Sequence, residues 1–270
     1  MTLHRGNGQV VDLFARSEGD GPPVLLLHGF TGSGETMYKL GQYLPNRTIR
    51  PDLIGHGRSP APKELRPYRI EAMVEQLHRL VESETADTPI VCGYSMGARL
   101  ALSYVVRYPK QVSSLILIGG TPGIEDRCEA HERARHDAKL ATRIEIEGID
   151  AFTQYWENLP IFASQFGLSP EIRRAIRRVR LSQRSQGIAN HLRMAGTGSM
   201  PSLWKDIPRL SIPTLLITGS YDTKFRDIAK EMKVAFPAAR HESVPDTGHA
   251  PHIENPKLVA QYINKFLGEL

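Results

Sequence analysis

The sequence predicts an α/β fold, with a mostly parallel central sheet flanked by helices and interrupted by one helical insertion. Short apolar runs alternate along the chain with amphipathic segments, as in proteins built from strand–helix–strand units. Several of these runs, including Val24–Leu27 and Leu115–Ile118, are continuously apolar, which is typical of parallel strands covered on both faces. Between Glu125 and Trp204 the alternation stops, because only helical patterns are found there.

The predicted elements follow one another in a regular order. Seven segments are predicted as strands: Val10–Ala15, Val24–Leu27, Thr48–Arg50, Ile90–Cys92, Ser114–Ile118, Thr214–Thr218 and Glu242–Val244. Five amphipathic segments are predicted as helices: Glu35–Leu44, Ile70–Glu82, Gly97–Arg107, Phe225–Ala235 and Pro256–Leu267. Because strands and helices alternate, we expect mostly parallel strands.

The insertion divides the predicted core. We expect residues 1–124 and 205–270 to form the core, and residues 125–204 to form a helical cap over the strand ends. The clearest helix of the cap begins after Ser169, because Pro170 suits a first turn and Glu171 suits the helix dipole. Its apolar stripe is predicted to comprise Ile172, Ala175, Ile176 and Val179.

Composition excludes several classes of protein. The 270 residues are 40% hydrophobic and 23% charged, which is unlike disordered, collagenous or membrane proteins. The longest apolar runs are far shorter than the ~20 residues of a membrane-spanning helix. The first residues lack the apolar core of a signal peptide, and Cys92 and Cys128 are too few for a disulfide framework. We therefore expect a cytoplasmic location and two free thiols.

The pentapeptide Gly93-Tyr94-Ser95-Met96-Gly97 matches the pattern G-x-S-x-G. It lies between a predicted strand and a predicted helix, which is the context of a nucleophile elbow. In that turn Ser95 adopts a strained backbone conformation, and its hydroxyl projects above the sheet. The Met96 amide then lies at a helix N-terminus, where it can serve an oxyanion hole.

A serine hydroxyl needs an imidazole to accept its proton and a carboxylate to orient that imidazole. Asp222 and His249 follow predicted strands in the expected order of serine, acid and histidine. Asp246 is too near His249 in sequence to orient it easily, and Asp227 falls inside a helical pattern. His249 and His252 without a third ligand make a poor metal site, so no metal is expected.

The segment after Val24–Leu27 supplies the second predicted oxyanion-hole amide, from Phe30. The surrounding glycines resemble a phosphate-binding loop, but the Gly-Lys-Ser/Thr sequence that completes such a loop is absent. His56, in a turn after another strand, is interpreted as a structural hydrogen-bonding residue.

These motifs resemble the α/β-hydrolase superfamily over essentially the whole chain. Longer segments are similar to the 2-succinyl-6-hydroxy-2,4-cyclohexadiene-1-carboxylate (SHCHC) synthases of menaquinone biosynthesis. The more specific of them are YWENLPIF (Tyr155–Phe162) and GTGSMPSLW (Gly196–Trp204), with Arg99 four residues after Ser95. Ala98 departs from the family, which often has a second glycine there.

The resemblance implies a lyase without a cofactor. Such an enzyme eliminates pyruvate from 2-succinyl-5-enolpyruvyl-6-hydroxy-3-cyclohexene-1-carboxylate, with the Ser95–His249–Asp222 triad as the proton-abstracting base. It also implies six substrate-binding residues: Tyr94, Arg99, Arg133, Trp156, Phe162 and Arg180. Arg184 is the alternative to Arg180, because the spacing differs from the family pattern here.

The net charge of +5 fits this interpretation. Residues 127–193 contain 12 Lys and Arg against 8 Asp and Glu, so most of the excess lies in the insertion. Five of these arginines, Arg173, Arg174, Arg177, Arg178 and Arg180, fall on one predicted helix. A nucleic-acid-binding helix would carry interleaved aromatic residues or a known docking motif, and this helix has neither. Arg174 and Arg178 are expected to face solvent. We therefore expect a small polycarboxylate as the partner, no nucleic acid or membrane insertion, and a monomer or weak homo-oligomer.

Two alternatives use the same sequence features. A carboxylesterase or a C–C bond hydrolase would carry the same triad, because fold and triad do not determine the reaction. A non-catalytic ligand-binding protein of this fold is a further alternative, although the complete Ser95, Asp222 and His249 set argues against it. Pocket charge separates the lyase from the hydrolases, since a polyanionic substrate needs arginines and a neutral ester does not.

Overall fold

In the computed structural model, which describes residues 11–270, seven strands form a single sheet. They are β1 Ala15–Glu18, β2 Pro23–Leu27, β3 Arg47–Pro51, β4 Ile90–Tyr94, β5 Ser114–Ile118, β6 Thr214–Gly219 and β7 Ala239–Val244. Their order across the sheet is β1-β3-β2-β4-β5-β6-β7, and only the β1–β3 pair is antiparallel. The prediction of an α/β fold with a mostly parallel sheet is confirmed.

Nine α-helices lie in the described part of the chain. They are α1 Tyr38–Gly41, α2 Ile70–Glu84, α3 Met96–Arg107, α4 Arg127–Glu157, α5 Pro170–Leu181, α6 Ser185–Ala195, α7 Thr223–Ala235, α8 Pro251–Glu254 and α9 Pro256–Gly268. Short 3₁₀ segments lie at Gly34–Met37, Arg66–Tyr68, Pro109–Gln111, Pro160–Gly167 and Ile207–Arg209. Between β5 and β6 every regular element is helical, as predicted for the insertion.

The predicted strand over Val10–Ala15 is wrong. Val10 lies outside the described residues, and the strand occupies Ala15–Glu18 instead. Phe14 is bound to the loop after β3: its amide donates to Ser59 Oγ at 2.8 Å, and its carbonyl accepts from the Asp52 amide at 2.8 Å. The true strand lies at the sheet edge and is only half-buried, so it carries no apolar run.

The predicted helix over Glu35–Leu44 is shorter than expected and in two parts. A 3₁₀ turn over Gly34–Met37 is followed by the single turn α1. The start is fixed by Ser33, whose Oγ accepts from the Glu35 amide at 3.3 Å.

Helix α5 begins as predicted, but the side chains that it buries differ from the predicted ones. Ser169 Oγ accepts from the Ile172 amide at 3.4 Å, and Pro170 is the first helical residue. Ile172, however, is 40% exposed, whereas the deeply buried side chain of this helix is Arg180. The predicted apolar stripe is thus wrong in part, because a buried arginine occupies the inner face.

Helices α4 and α6 lie over the carboxyl end of the sheet. They form a separate apolar cluster, and the partly buried Phe30, in the loop after β2, packs against it. Helix α4 is broken at Gly148, whose φ of 82° is not helical. Among the described helices none has the length and apolarity needed to cross a bilayer.

Two buried histidines should make the fold sensitive to acid. Burial lowers the pKa of His191 and of His252 to about 3, against 6.5 for an ordinary histidine. Between these values the unfolded chain binds protons that the folded chain does not, so the free energy of unfolding falls as the pH falls below 6.5. We expect a loss of about 2 kcal/mol per histidine between pH 7 and pH 5.

Urea unfolding at pH 7, 6 and 5 measures this loss. His252→Phe should flatten the pH dependence, whereas His136→Gln, at an exposed position on α4, should leave it as in the unsubstituted protein. Equal slopes for all three proteins would contradict the prediction.

Candidate active site

The turn between β4 and α3 places Ser95 at the carboxyl edge of the sheet. Its φ of 50° and ψ of −104° are the strained conformation of a nucleophile elbow. The turn needs glycine at Gly97, because a Cβ there would overlap the carbonyl oxygens of Leu27 and His28. The strand that carries the loop of Phe30 can therefore approach the elbow closely.

Ser95, His249 and Asp222 form a continuous hydrogen-bond chain. His249 Nε2 lies 2.9 Å from Ser95 Oγ, and His249 Nδ1 lies 2.6 Å from Asp222 Oδ2. The His249 and Asp222 side chains are buried. Because Asp222 accepts at Nδ1, that nitrogen carries the proton of the neutral ring and Nε2 is free to accept one from Ser95.

The other acids considered from sequence lie elsewhere. Asp227 is paired at the surface with Lys230 at 2.7 Å. Asp246 accepts a hydrogen bond from the Tyr221 hydroxyl at 2.9 Å.

The Phe30 and Met96 amides lie in the two loops that meet beside Ser95. Within residues 11–270 neither amide donates a hydrogen bond to a protein acceptor. The Gly29 carbonyl, on the same peptide as the Phe30 amide, accepts from the Gly32 amide at 3.0 Å and lies 2.8 Å from His28 Nδ1. This arrangement fixes the plane of the Gly29–Phe30 peptide and leaves its N–H free, as an oxyanion hole requires.

The loop that carries His249 is bound by a carboxylate. Glu254 Oε2 accepts from the Gly248 amide at 2.7 Å, and Oε1 lies 3.3 Å from the Ala250 amide, so both neighbours of His249 are bonded to one side chain. Phe225 packs against the imidazole of His249, with ring centroids 4.4 Å apart. These contacts restrict the position of the ring between Ser95 and Asp222.

Replacing Glu254 should therefore lower kcat while changing the melting temperature little. In Glu254→Gln the amide NH₂ would face one of the two N–H groups, so we expect kcat to fall about ten-fold. Glu254→Ala, which removes both acceptors, should lower kcat further. Steady-state kinetics and thermal melting of the same variants check this prediction. A large fall in melting temperature together with the fall in kcat would contradict a positioning role.

Two of the three predicted aromatic side chains, Tyr94 and Phe162, line a cavity beside the triad, and the third, Trp156, packs against two of its lining residues. Tyr94 is buried, with its ring 4.1 Å from the His252 ring and 5.4 Å from the His249 ring. Trp156 packs edge-on against Phe30 at 5.3 Å and lies 5.9 Å from Phe162. Tyr94, Phe30 and Phe162 line a small cavity of about 30 Å³.

The predicted substrate arginines are divided between two places. Arg180 lines the same small cavity, with its guanidinium 4.9 Å from the Phe162 ring centroid and 3.3 Å from Gln165 Oε1. Burial lowers the pKa of Arg180. Arg184 instead donates to the carbonyls of Gly57 and Ser59, so Arg180 is the one that faces the cavity.

Arg99, on α3, and Arg133, on α4, lie near each other, and neither lines the cavity of Arg180. Arg99 is buried and donates to the Ala195 carbonyl at 2.7 Å. Burial lowers its pKa to about 10, and the charge of Arg133 acts in the same direction. Arg133 forms an ion pair with Asp137 at 2.9 Å and lines a cavity that does not include Arg180. The three arginines are thus not gathered in one cavity.

Comparison with known proteins agrees with this geometry. A sequence model described as the alpha/beta hydrolase fold matches residues 22–256. The chain belongs to the α/β-hydrolase family. A Bacillus subtilis (strain 168) protein, provisionally named 2-succinyl-6-hydroxy-2,4-cyclohexadiene-1-carboxylate synthase, is 41% identical to this α/β hydrolase over 245 residues. The match covers 90% of this chain and 89% of the relative.

Two solved structures resemble this α/β hydrolase over most of their length. MenH from S. aureus has a TM-score of 0.90 and 33% identity, covering 94% of this chain and 98% of that one. A thermophilic esterase from Thermogutta terrifontis, solved with malate bound, has a TM-score of 0.85 and 27% identity, covering 96% and 94%.

Sequence reasoning missed several residues of the site in this α/β hydrolase. Glu254, Phe225 and Gln165 contact the triad loop or Arg180, yet none was assigned a role from the sequence. Phe225 was within reach, because it follows Asp222 by three residues, one helical turn. Over residues 11–270 no group of three His, Cys, Asp or Glu side chains is arranged to bind a metal ion.

Proposed function

We propose that this α/β hydrolase is an SHCHC synthase, a lyase that eliminates pyruvate from 2-succinyl-5-enolpyruvyl-6-hydroxy-3-cyclohexene-1-carboxylate in menaquinone biosynthesis. The relative at 41% identity carries the synthase name, and the similarity to MenH extends over nearly the whole chain. The observation that carries the proposal is the hydrogen-bonded triad beside a buried arginine, Arg180, because the substrate is a polycarboxylate.

The triad acts in this proposal as a base. Asp222 holds His249 in the tautomer that accepts the Ser95 proton, and the Ser95 oxygen removes a ring proton next to the succinyl ketone. The ketone oxygen gains negative charge, which the Phe30 and Met96 amides stabilise. When the ketone re-forms, the electron pair of the former C–H bond becomes a double bond between ring carbons 2 and 3. The existing double bond shifts from carbons 3 and 4 to carbons 4 and 5, and the C–O bond from carbon 5 to the enolpyruvyl group breaks with its electron pair on oxygen. The ring proton restores the Ser95 hydroxyl, and His249 gives the proton that it took from Ser95 to the departing enolpyruvate, which becomes pyruvate.

The remaining predicted residues bind the substrate in this proposal. Arg180 binds a carboxylate beside Tyr94, Trp156 and Phe162, while Arg99 and Arg133 serve a second carboxylate. Residues 125–204 act as a cap on a core of residues 1–124 and 205–270. We also propose a cytoplasmic location, a monomer or weak homo-oligomer, and no nucleic-acid partner.

A pyruvate-release assay with the purified protein and the enolpyruvyl substrate tests the proposal. Coupling the released pyruvate to lactate dehydrogenase gives the rate, and ultraviolet absorbance follows the conjugated diene formed in the same step. We expect one pyruvate for each diene. Efficient hydrolysis of aryl esters with no pyruvate release would instead support a serine hydrolase, which the similarity to the esterase makes the second candidate.

A further inference from the structure

Two larger cavities each include an aromatic residue that lies near His249, and they differ in charge. One, of about 310 Å³, is bordered by Arg173, Arg174, Arg177, Arg180 and a single carboxylate, Glu157. We call these five residues and the space between them the basic vestibule. It also contains Phe162, whose ring lies 6.5 Å from that of His249.

The second cavity is separate from the vestibule and is acidic. Its volume is about 490 Å³, and it reaches Phe225, whose ring centroid lies 4.4 Å from that of His249. The charged side chains around it are Glu125, Asp126, Glu129 and Glu231 against Arg133 and Lys224. A polyanion arriving from solvent would therefore be attracted to the basic vestibule more than to this cavity.

The basic vestibule adjoins the small cavity beside Tyr94. The two spaces share Phe162, Gln165, Ile176 and Arg180, which form the wall between them. The inner cavity, at about 30 Å³, is far below the several hundred Å³ of a usual ligand site. A substrate of the proposed size must therefore displace part of this wall, and the vestibule is the space directly outside it.

Three arginines of α5 lead from the basic vestibule to the inner cavity. Arg173, Arg177 and Arg180 follow one another at spacings of four and three residues, so they share one face of the helix. Arg173 lies 5.6 Å from the Phe166 ring centroid, and Arg177 is paired with Glu157. Arg178 is also on α5 and exposed, but it borders neither the vestibule nor the inner cavity.

We propose that the basic vestibule is an entry subsite, in which Arg173 and Arg177 capture a carboxylate of the substrate and pass it to Arg180. The proposal rests on the proposed function, because it assumes a polycarboxylate substrate. Capture by fixed positive charge increases the rate of encounter more than the rate of the chemical step, and salt screens it.

Substitutions that each change one charge test the proposed entry subsite. At about 20 mM ionic strength, Arg173→Gln and Arg177→Gln should each lower kcat/KM about three-fold, and the double variant about ten-fold. Glu157→Gln should act in the opposite direction and raise kcat/KM about two-fold. At about 0.5 M salt all differences should shrink below two-fold. Arg178→Gln, with the same charge change on the same helix, is the matched control and should leave kcat/KM within experimental error.

A binding measurement keeps this test independent of the reaction. Stopped-flow tryptophan fluorescence gives the association rate of benzene-1,2,4-tricarboxylate, because Trp156 packs against Phe162 in the wall of the vestibule. Failure of the proposed function would appear as no pyruvate release by the unsubstituted protein, while the order of association rates would still decide the path. The proposal is overturned if Arg178→Gln slows association as much as Arg173→Gln does. It is equally overturned if Glu231→Gln, in the acidic cavity, speeds association and Glu157→Gln does not.

Discussion

Ser95→Ala should lower kcat for pyruvate release about a thousand-fold. The substitution removes the oxygen that lies 2.9 Å from His249 Nε2 and leaves the rest of the triad in place. A positioned general base contributes about 10²- to 10⁴-fold to a rate, so the loss should fall within this range. Because alanine only removes the hydroxyl, the melting temperature should change by a few degrees at most.

Asp222→Asn should cause a smaller loss of activity than Ser95→Ala. An amide in place of the carboxylate can hold His249 in the wrong tautomer, so we expect a loss of about 10²-fold or more with KM little changed. Ser113→Ala, at an exposed position after α3, is the matched control for Ser95→Ala. Pyruvate release by Ser95→Ala at more than a tenth of the original rate would contradict the proposed base.

Arg180→Ala should have the largest effect on substrate capture, lowering kcat/KM about a hundred-fold. Its guanidinium is buried against Phe162 and lines the cavity beside Tyr94, so a carboxylate bound there would lose a charge-assisted contact that water cannot replace. Arg180→Lys should recover only part of the loss, because an ammonium cannot bind a carboxylate through a planar fork.

Arg178→Ala on the same helix separates this effect from a change in net charge. Both variants lose one positive charge, but only Arg180 is buried. Michaelis–Menten kinetics on both proteins, with the enolpyruvyl substrate, gives the comparison. Equal losses of kcat/KM in the two variants would show that Arg180 acts only through the overall electrostatic field of the protein.

The elements that the sequence predicted well are those that carry a strong local signal. The four central strands β2, β4, β5 and β6 are buried on both faces, so their apolar runs identify them within a few residues. The edge strand β1 was misplaced, because half-exposed residues at a sheet edge need no apolar pattern. In the same way, the G-x-S-x-G turn was recognisable because its tight geometry restricts which residues fit.

Contacts between distant segments could not be predicted in this way. Glu254 binds two amides beside His249, and nothing in the neighbouring sequence distinguishes it from a surface carboxylate. The burial of Arg180 depends on how α5 packs against Phe162 and Gln165. Periodicity alone predicted an inner face made of Ile172, Ala175, Ile176 and Val179, without this arginine. The separation of Arg99 and Arg133 from Arg180 likewise depends on packing. All three are arginines in predicted helices, so the sequence alone does not show which of them share a cavity.

Ser95 and His249 are 154 residues apart in sequence, and they meet only because β4, β5, β6 and β7 are paired in register. Any event that separates two of these strands also separates the reacting groups, whatever happens to the rest of the chain. Enzyme activity is therefore a sensitive reporter of global folding, and it should return only in the last, rate-limiting phase of refolding. For the same reason, fragments that divide the chain between β5 and β6 should be inactive alone and regain activity only when they reassociate.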